Sequence, residues 1–328
     1  MTTTEQATMT PERATWFAET FARLVENVSE AILGKSHVVR LAFTCLMSNG
    51  HLLLEDYPGT GKTSLARALA ATVHSSHSRI QFTPDLLPSD VTGVTIYDQE
   101  TKQWDFHSGP IFAAVVLADE INRASPKTQS ALLEVMEEGR VTVDGKPHEV
   151  GRPFIVLATQ NPIEQAGTYR LPEAQLDRFL MRTSLGYPDA QSTVEILAGS
   201  AVRDRTASLE PVITGSEVVD LAELAATVYV DPAVLSYVTE LVEATRVAPE
   251  VALGASMRGA LALVRTAKVW AASRGRHYVI PDDIKDLAEP VLAHRMVLDP
   301  EAEFEGASAS GSLRRILTEV NPPSQRAS

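Results

Sequence analysis

Cysteine is nearly absent: Cys45 is the only one in 328 residues. No internal disulfide framework is possible, and a reducing compartment is the expected setting. Aromatic side chains make up 6%, too few to suggest stacking platforms for single-stranded nucleic acid. Positive charge is in deficit, with 29 Lys and Arg against 42 Asp and Glu and a formal net charge of −13. That excess repels phosphate backbones and anionic lipid and argues against a general nucleic-acid binder. No apolar run reaches the roughly 18 residues a membrane span requires. The best run, Val38 to Met47, is broken by Arg40. The opening Met1-Thr2-Thr3-Thr4-Glu5-Gln6 has no apolar core, so it does not read as a signal peptide. A cytoplasmic protein is expected.

What is present is ordinary globular material, 44% apolar and 22% charged, and long enough for two domains of about 150 residues. Residues 1–12 are polar and expected to be loose. Phe17, Phe21, Leu24, Val25 and Val28 have helical spacing. Short apolar runs then alternate with helical stretches, the signature of βαβ units and a parallel sheet. The expected strands are His51–Glu55, Arg79–Thr83, Ala114–Asp119, Phe154–Thr159 and Phe179–Leu185. Ser125, Pro126 and Gly139 punctuate one helix as cap, first turn and stop. Two hairpins interrupt the pattern. In one, Val94 and Ile96 are followed by Trp104 and Phe106. In the other, Val141 and Val143 lead into Asp144-Gly145, which suits a type I′ turn. After Pro188 helical patterns dominate, at about 190–199, 216–228, 232–247, 256–273 and 282–294. The expected organisation is therefore an α/β domain at 13–187, a smaller all-helical domain at 188–300, and a tail at 301–328 with a short helix at Leu313–Val320.

The chemistry starts at His51-Leu52-Leu53-Leu54-Glu55-Asp56-Tyr57-Pro58-Gly59-Thr60-Gly61-Lys62-Thr63-Ser64, a buried strand running through a glycine-containing loop into a helix. Gly59 and Gly61 let backbone N–H groups close around phosphate oxygens, and the helix N-terminus adds its positive dipole end. Lys62 is placed for the β- and γ-phosphates and the Thr63 hydroxyl for Mg²⁺. Asp56 stands where the phosphate-loop pattern has its first glycine. A second buried strand ends in Asp119-Glu120. Ligands of a parallel sheet sit at this edge, so Asp119 can hold Mg²⁺ through water and Glu120 can polarise an attacking water. A third strand delivers Gln160-Asn161-Pro162, and Asn161 can bond a γ-phosphate or orient the water. Taken singly, a pair of acids at a strand end or an Asn before proline is commonplace. About 60 residues after a phosphate loop they gain meaning. His74 and His77 have polar, Ser-rich surroundings and suit a loop better than a metal site.

These segments, with Leu117-Ala118-Asp119-Glu120-Ile121-Asn122-Arg123, Leu171-Pro172-Glu173-Ala174-Gln175-Leu176-Asp177-Arg178-Phe179 and Gly254-Ala255-Ser256-Met257-Arg258, resemble the MoxR family of AAA+ ATPases over nearly all of residues 15–300. The resemblance implies an AAA+ P-loop core with a five-stranded parallel sheet, two hairpin inserts and a helical lid. It further implies ATP and Mg²⁺ as cofactors, with Pro58, Gly59, Thr60, Gly61, Lys62, Thr63 and Ser64 cradling the nucleotide. Gly34, in Ile32-Leu33-Gly34-Lys35, resembles the adenine-side loop. Asn161 resembles sensor 1, Arg178 an arginine finger, and Arg258 sensor 2 on a helix that Ser256 caps. Met257 and Gly259 stand where Pro and Ala are usual. The hairpins resemble inserts that engage substrates or neighbours.

By the same resemblance the chain hydrolyses ATP in a ring, commonly hexameric, and remodels or matures a partner protein carrying a von Willebrand factor A domain. A nucleic-acid-dependent AAA+ motor or transcription regulator is the rival, disfavoured by the acidic balance. A nucleotide switch that scarcely turns over is a second, disfavoured by Glu120 and Arg178. Arg123 and Lys127 are weak candidates for facing a neighbouring site.

Overall fold

The computed structural model describes residues 8–57, 59–161, 168–198 and 205–323. The chain divides into two units. One holds residues 23–179 and 183–219; the other holds the residues up to 22, residues 180–182 and those from 220 onward.

Helix α1 (Pro11–Ala31) buries Phe17, Phe21, Leu24, Val25 and Val28, the stripe its spacing predicts. Met9, in the stretch expected to be loose, is buried, and its N–H donates to Thr227 Oγ1 at 2.8 Å. Helix α2 (Ser36–Met47) absorbs the best apolar run of the sequence, and nine of its twelve residues are buried. Cys45 lies among them, buried. Strand β1 (Leu52–Glu55) leads through the phosphate loop into α3 (Lys62–Thr72), and β2 (His77–Gln81) follows. Then come α4 (Pro88–Thr92), the ribbon β3 (Gly93–Asp98) and β4 (Gln103–Ser108), and the buried strand β5 (Val115–Asp119). Helix α5 (Pro126–Glu138) is capped by Ser125 Oγ, which accepts from Thr128 N–H, and ends at left-handed Gly139. A second ribbon, β6 (Arg140–Val143) and β7 (Lys146–Glu149), precedes β8 (Ile155–Gln160). Short α6 (Glu173–Leu176), β9 (Met181–Thr183) and α7 (Ala190–Ala198) continue the chain.

The main sheet has five strands in the order β2-β5-β8-β1-β9, and the registers of β2–β5, β5–β8 and β8–β1 are parallel, as expected. The strands fall close to their expected places. β2 ends at Gln81, whose rung against Asp119 is the last, and Phe82 N–H still donates to Asp119 C=O at 2.9 Å. β9 is shorter than Phe179–Leu185. Phe179 N–H is spent on the preceding turn, and Leu185 N–H donates to the Asp56 carboxylate instead of to a strand. His51 braces the sheet from inside: Val156 N–H donates to its Nδ1, leaving Nε2 as the donor to Met136 C=O. Both hairpins form as expected. Asp144 and Gly145 have φ of 51° and 73°, both positive as a type I′ turn requires. The ribbons touch through Phe106 and His148, whose rings stack with centroids 3.9 Å apart. Trp104 is 69% exposed at the outer end of its ribbon.

The second unit carries α8 (Gly215–Ala226, its first residues in the other unit), α9 (Pro232–Val247), α10 (Met257–Ala272), α11 (Pro281–Leu292), α12 (Pro300–Phe304) and α13 (Ala309–Glu319). Its helical character matches expectation, apart from one short antiparallel pair, β10 (Val251–Leu253) with β11 (Val297–Leu298). Ser256 takes the N-cap position of α10, but its side chain makes no capping bond. Gly259 serves packing as well as helix: a Cβ there would come within 3.1 Å of Arg295 Cδ and 3.2 Å of a Leu292 methyl. Asp283, fully buried, accepts from Arg276 Nη1 and Nη2 at 2.6 and 2.5 Å and from Ile280 N–H at 3.0 Å, which ties the start of α11 to the preceding loop.

Replacing Asp283 by Ala leaves a part-buried guanidinium and a backbone N–H without their carboxylate. About 3–5 kcal/mol of unfolding free energy should go with it. Denaturant titration measures this, and a loss below about 1 kcal/mol would reduce the pair to a surface ion pair.

Candidate functional site

At the C-terminal edge of the sheet lies a cavity of about 420 Å³, lined by the phosphate loop and the ends of β2, β5 and β8. Gly59, Thr60, Gly61, Lys62, Thr63, Asp119, Glu120 and Asn161 all line it. Gly34, Ser64, Arg178 and Arg258 are not among its lining residues. Pro58 falls outside the described residues.

The loop takes its shape from Gly59 and Gly61, at φ of 82° and 94°. A Cβ would meet nothing within 4 Å at either position, so the backbone conformation, and not space, demands glycine. Gly61 N-caps α3, leaving the first N–H groups of that helix facing the cavity. Lys62 Nζ donates to Tyr57 C=O at 2.8 Å and to Asp56 C=O at 3.4 Å.

Asp56, at the pattern's first-glycine position, is not a positive-φ residue, so its backbone does not call for glycine. Its carboxylate, only 2% exposed, accepts from Ser184 Oγ at 2.8 Å, Leu185 N–H at 2.6 Å and Gly186 N–H at 2.8 Å. The side chain thus ties the phosphate loop to the segment after β9. Gly34 sits close by in sequence terms to α2, at φ 69°, where a Cβ would collide with Ser192 Oγ. Ser192 N–H in turn holds the Asp189 carboxyl below the usual carboxylate range. Lys35 spends its ammonium on Tyr187 C=O at 2.6 Å.

The two acids are each held by a cation and a neutral donor. Asp119 Oδ1 accepts from Thr159 Oγ1 at 2.7 Å, and its Oδ2 accepts from Arg79 Nη2 at 2.5 Å. Glu120 Oε2 accepts from Gln81 Nε2 and from Arg123 Nη1, both at 2.8 Å. Glu120 also occupies the left-handed region, at φ 58° and ψ 48°, an uncommon state for a non-glycine residue that recurs where side chains are aimed at a site. Thr159 accepts Glu120 N–H at 2.9 Å and so steadies both acids. Arg123 therefore serves Glu120 of its own chain, whereas Lys127 is exposed.

Sequence reasoning missed Arg79, Gln81 and Thr159. The alternation of β2 puts Arg79 and Gln81 on one face, and two long polar side chains sharing a face at a parallel-strand end was the available signal. Arg178 follows α6 and pairs through Nε with Glu137 Oε2 of α5 at 3.2 Å. Arg258 lies in the first turn of α10, in the other unit.

The donor set fits a hard divalent cation. Thr63 and Asp119 offer oxygen ligands to one cavity, and among the described residues no group of three His, Cys, Asp or Glu could hold a metal alone. Such a sparse set suits Mg²⁺, which keeps waters and takes phosphate oxygens as ligands.

Comparison with known proteins shows the family and the fold. Residues 51–181 match the ATPase family associated with various cellular activities (AAA), and residues 243–316 match the AAA lid domain. The chain is 49% identical to the Bacillus subtilis protein YeaC, over 93% of this chain and 95% of that one. It is 41% identical to the chaperone MoxR1 of Mycobacterium tuberculosis, over 93% and 82%. A solved structure from Cytophaga hutchinsonii, described as a candidate ATPase, superposes with a TM-score of 0.89 at 38% identity and covers 95% of this chain and 98% of that one.

Asp56→Gly restores the usual glycine and removes three hydrogen bonds to a buried carboxylate. The expected cost is about 2–4 kcal/mol, read as a thermal midpoint lower by several degrees. An unchanged midpoint would show that the tether contributes nothing.

Proposed function

Since the chain belongs to the MoxR family of AAA+ ATPases, we propose that it hydrolyses Mg²⁺-ATP in a ring of identical subunits, hexameric by family habit, and spends the cycle on remodelling or maturing a partner protein. The observation that carries this reading is the convergence of Lys62, Thr63, Asp119, Glu120 and Asn161 on one cavity at the sheet edge. Lys62 and the loop N–H groups bind the β- and γ-phosphates. Thr63 and Asp119 hold the metal, which when bound neutralises phosphate charge. Glu120 polarises the attacking water, and Asn161 orients it against the γ-phosphate. Positioning and charge neutralisation are most of what phosphoryl transfer requires.

Two arginines complete the scheme. Arg178 does not line the cavity of its own chain, which supports a finger acting on a neighbouring subunit. Arg258 is assigned to the nucleotide from the lid side and Gly34 to the adenine side, both on family grounds. A von Willebrand factor A domain partner is proposed on the same grounds. Among the described residues no helix is long and apolar enough to cross a membrane. The net charge of −13 favours a protein client over a nucleic-acid track. ATPase stimulation by DNA or RNA would reverse that preference.

Lys62→Ala should abolish tight ATP binding in a direct titration, and unchanged affinity would remove the phosphate-loop assignment. Glu120→Gln should bind ATP yet turn over far more slowly, since an amide cannot take the water proton. Turnover at the parent rate would make Glu120 a bystander.

Arg178→Ala should bind ATP and lose turnover, by about 10³–10⁵ if the arginine acts as a finger. Mixing Arg178→Ala with Glu120→Gln subunits rebuilds some complete sites only if the finger crosses an interface. Partial recovery of activity is expected. Mixed rings that form and stay as inactive as the separate variants would sink the shared-site scheme.

A further inference from the structure

Arg79 is a cation lining the cavity that the scheme above leaves unused. Its Nη2 donates to Asp119 Oδ2 at 2.5 Å and to Gln81 Oε1 at 2.8 Å. The other Asp119 oxygen is taken by the Thr159 hydroxyl at 2.7 Å. Both oxygens of the carboxylate assigned to the metal are thus engaged by the protein itself. The two partners differ in freedom: the Arg79 side chain is 50% exposed, that of Asp119 only 12%. An arginine on an edge strand can swing into solvent, whereas the carboxylate stays where β5 holds it.

The geometry points to Arg79 as an internal stand-in for the metal. Guanidinium and divalent cation are alternative partners of Asp119, and the metal–nucleotide complex gains that carboxylate only by displacing the arginine. The reason is electrostatic. A part-buried carboxylate needs a positive partner when no nucleotide is bound, and Arg79 supplies a tethered one with donors in a planar fork. A divalent ion brings twice the charge and repels a guanidinium held at the same oxygens. Because the same Nη2 also holds Gln81, whose amide donates to Glu120, displacement loosens the acid that polarises water as well as the one that faces the metal. Arg79 is in this sense a positioning residue, and the inference rests on the ATPase reading above.

The test uses the full chain with a non-hydrolysable ATP analogue and Mn²⁺ as the probe ion, its binding read by electron paramagnetic resonance. Arg79→Met should bind Mn²⁺ about fivefold or more tightly than the parent, the size expected when a competing charged hydrogen bond is lost. Arg79→Lys keeps the charge without the planar fork and should fall between the parent and Arg79→Met. Thermal melts confirm that each variant is folded. Nucleotide affinity in EDTA should be unchanged in Arg79→Met and lost in Lys62→Ala. Mn²⁺ affinity in Arg79→Met that is equal to or weaker than in the parent overturns the inference and leaves the ATPase reading standing. Weakened nucleotide binding in EDTA also overturns it, by making Arg79 a phosphate ligand. If the parent binds no Mn²⁺ with nucleotide, the ATPase reading fails first and this inference falls with it.

Discussion

Strand register governs this site more than any single residue does. Gln81 lies opposite Asp119, Ala118 opposite Ala158, and Glu55 opposite Gln160. These rungs bring four strand ends level at one edge, where the phosphate loop also emerges. Side chains alternate along a strand, so a slip of one residue in β2 would point Arg79 and Gln81 away from both acids. Ile80, the one buried residue of β2, opposes such a slip, because the slip would carry it off the buried face. Leu52, Leu53 and Leu54 in β1, all of β5 but its acidic end, and Ile155 to Ala158 in β8 are almost wholly out of water. The hydrophobic effect fixes the register, and the register delivers the chemistry.

What is delivered is a set of charges balanced against one another. Lys62 rests on loop carbonyls, Arg79 on Asp119, and Arg123 on Glu120. Each of these contacts is satisfied, yet each is the kind that a polyanion and a divalent cation would redistribute. Glu120 adds backbone strain to this balance through its left-handed conformation. The cavity is therefore pre-shaped by the loop and the sheet while its side chains remain committed to one another.

The sheet, both hairpins and the helical second unit were legible in the sequence because hydrophobic period and turn chemistry agree there. Asp144-Gly145 fixes one hairpin by its positive φ preference, and Ser125 with Gly139 brackets α5 by capping. The residues of the phosphate loop and the two acids were legible because their spacing follows from the chemistry. Helix α2 was not, since an apolar run of that length reads equally as a strand or a core helix. Nor was the role of Asp56, whose partners lie at 184–186. Arg79 and Gln81 were passed over as mere strand residues, because their meaning depends on which strand pairs with β2. Sequence pattern shows which face a side chain takes, and only pairing shows what it meets.

The reach of the Asp56 tether has a consequence for how the protein is made. Its three partners follow it by 128 to 130 residues, so the loop that begins near Asp56 is completed by chain synthesised long after it. Contacts of such separation form late in folding, after the loop-closure entropy has been met. A ribosome-bound chain that ends before Ser184 would carry every residue of the phosphate-loop motif and still lack its anchor. The tether of this loop is thus a property of the finished domain, formed only once β9 and the turn behind it have left the ribosome.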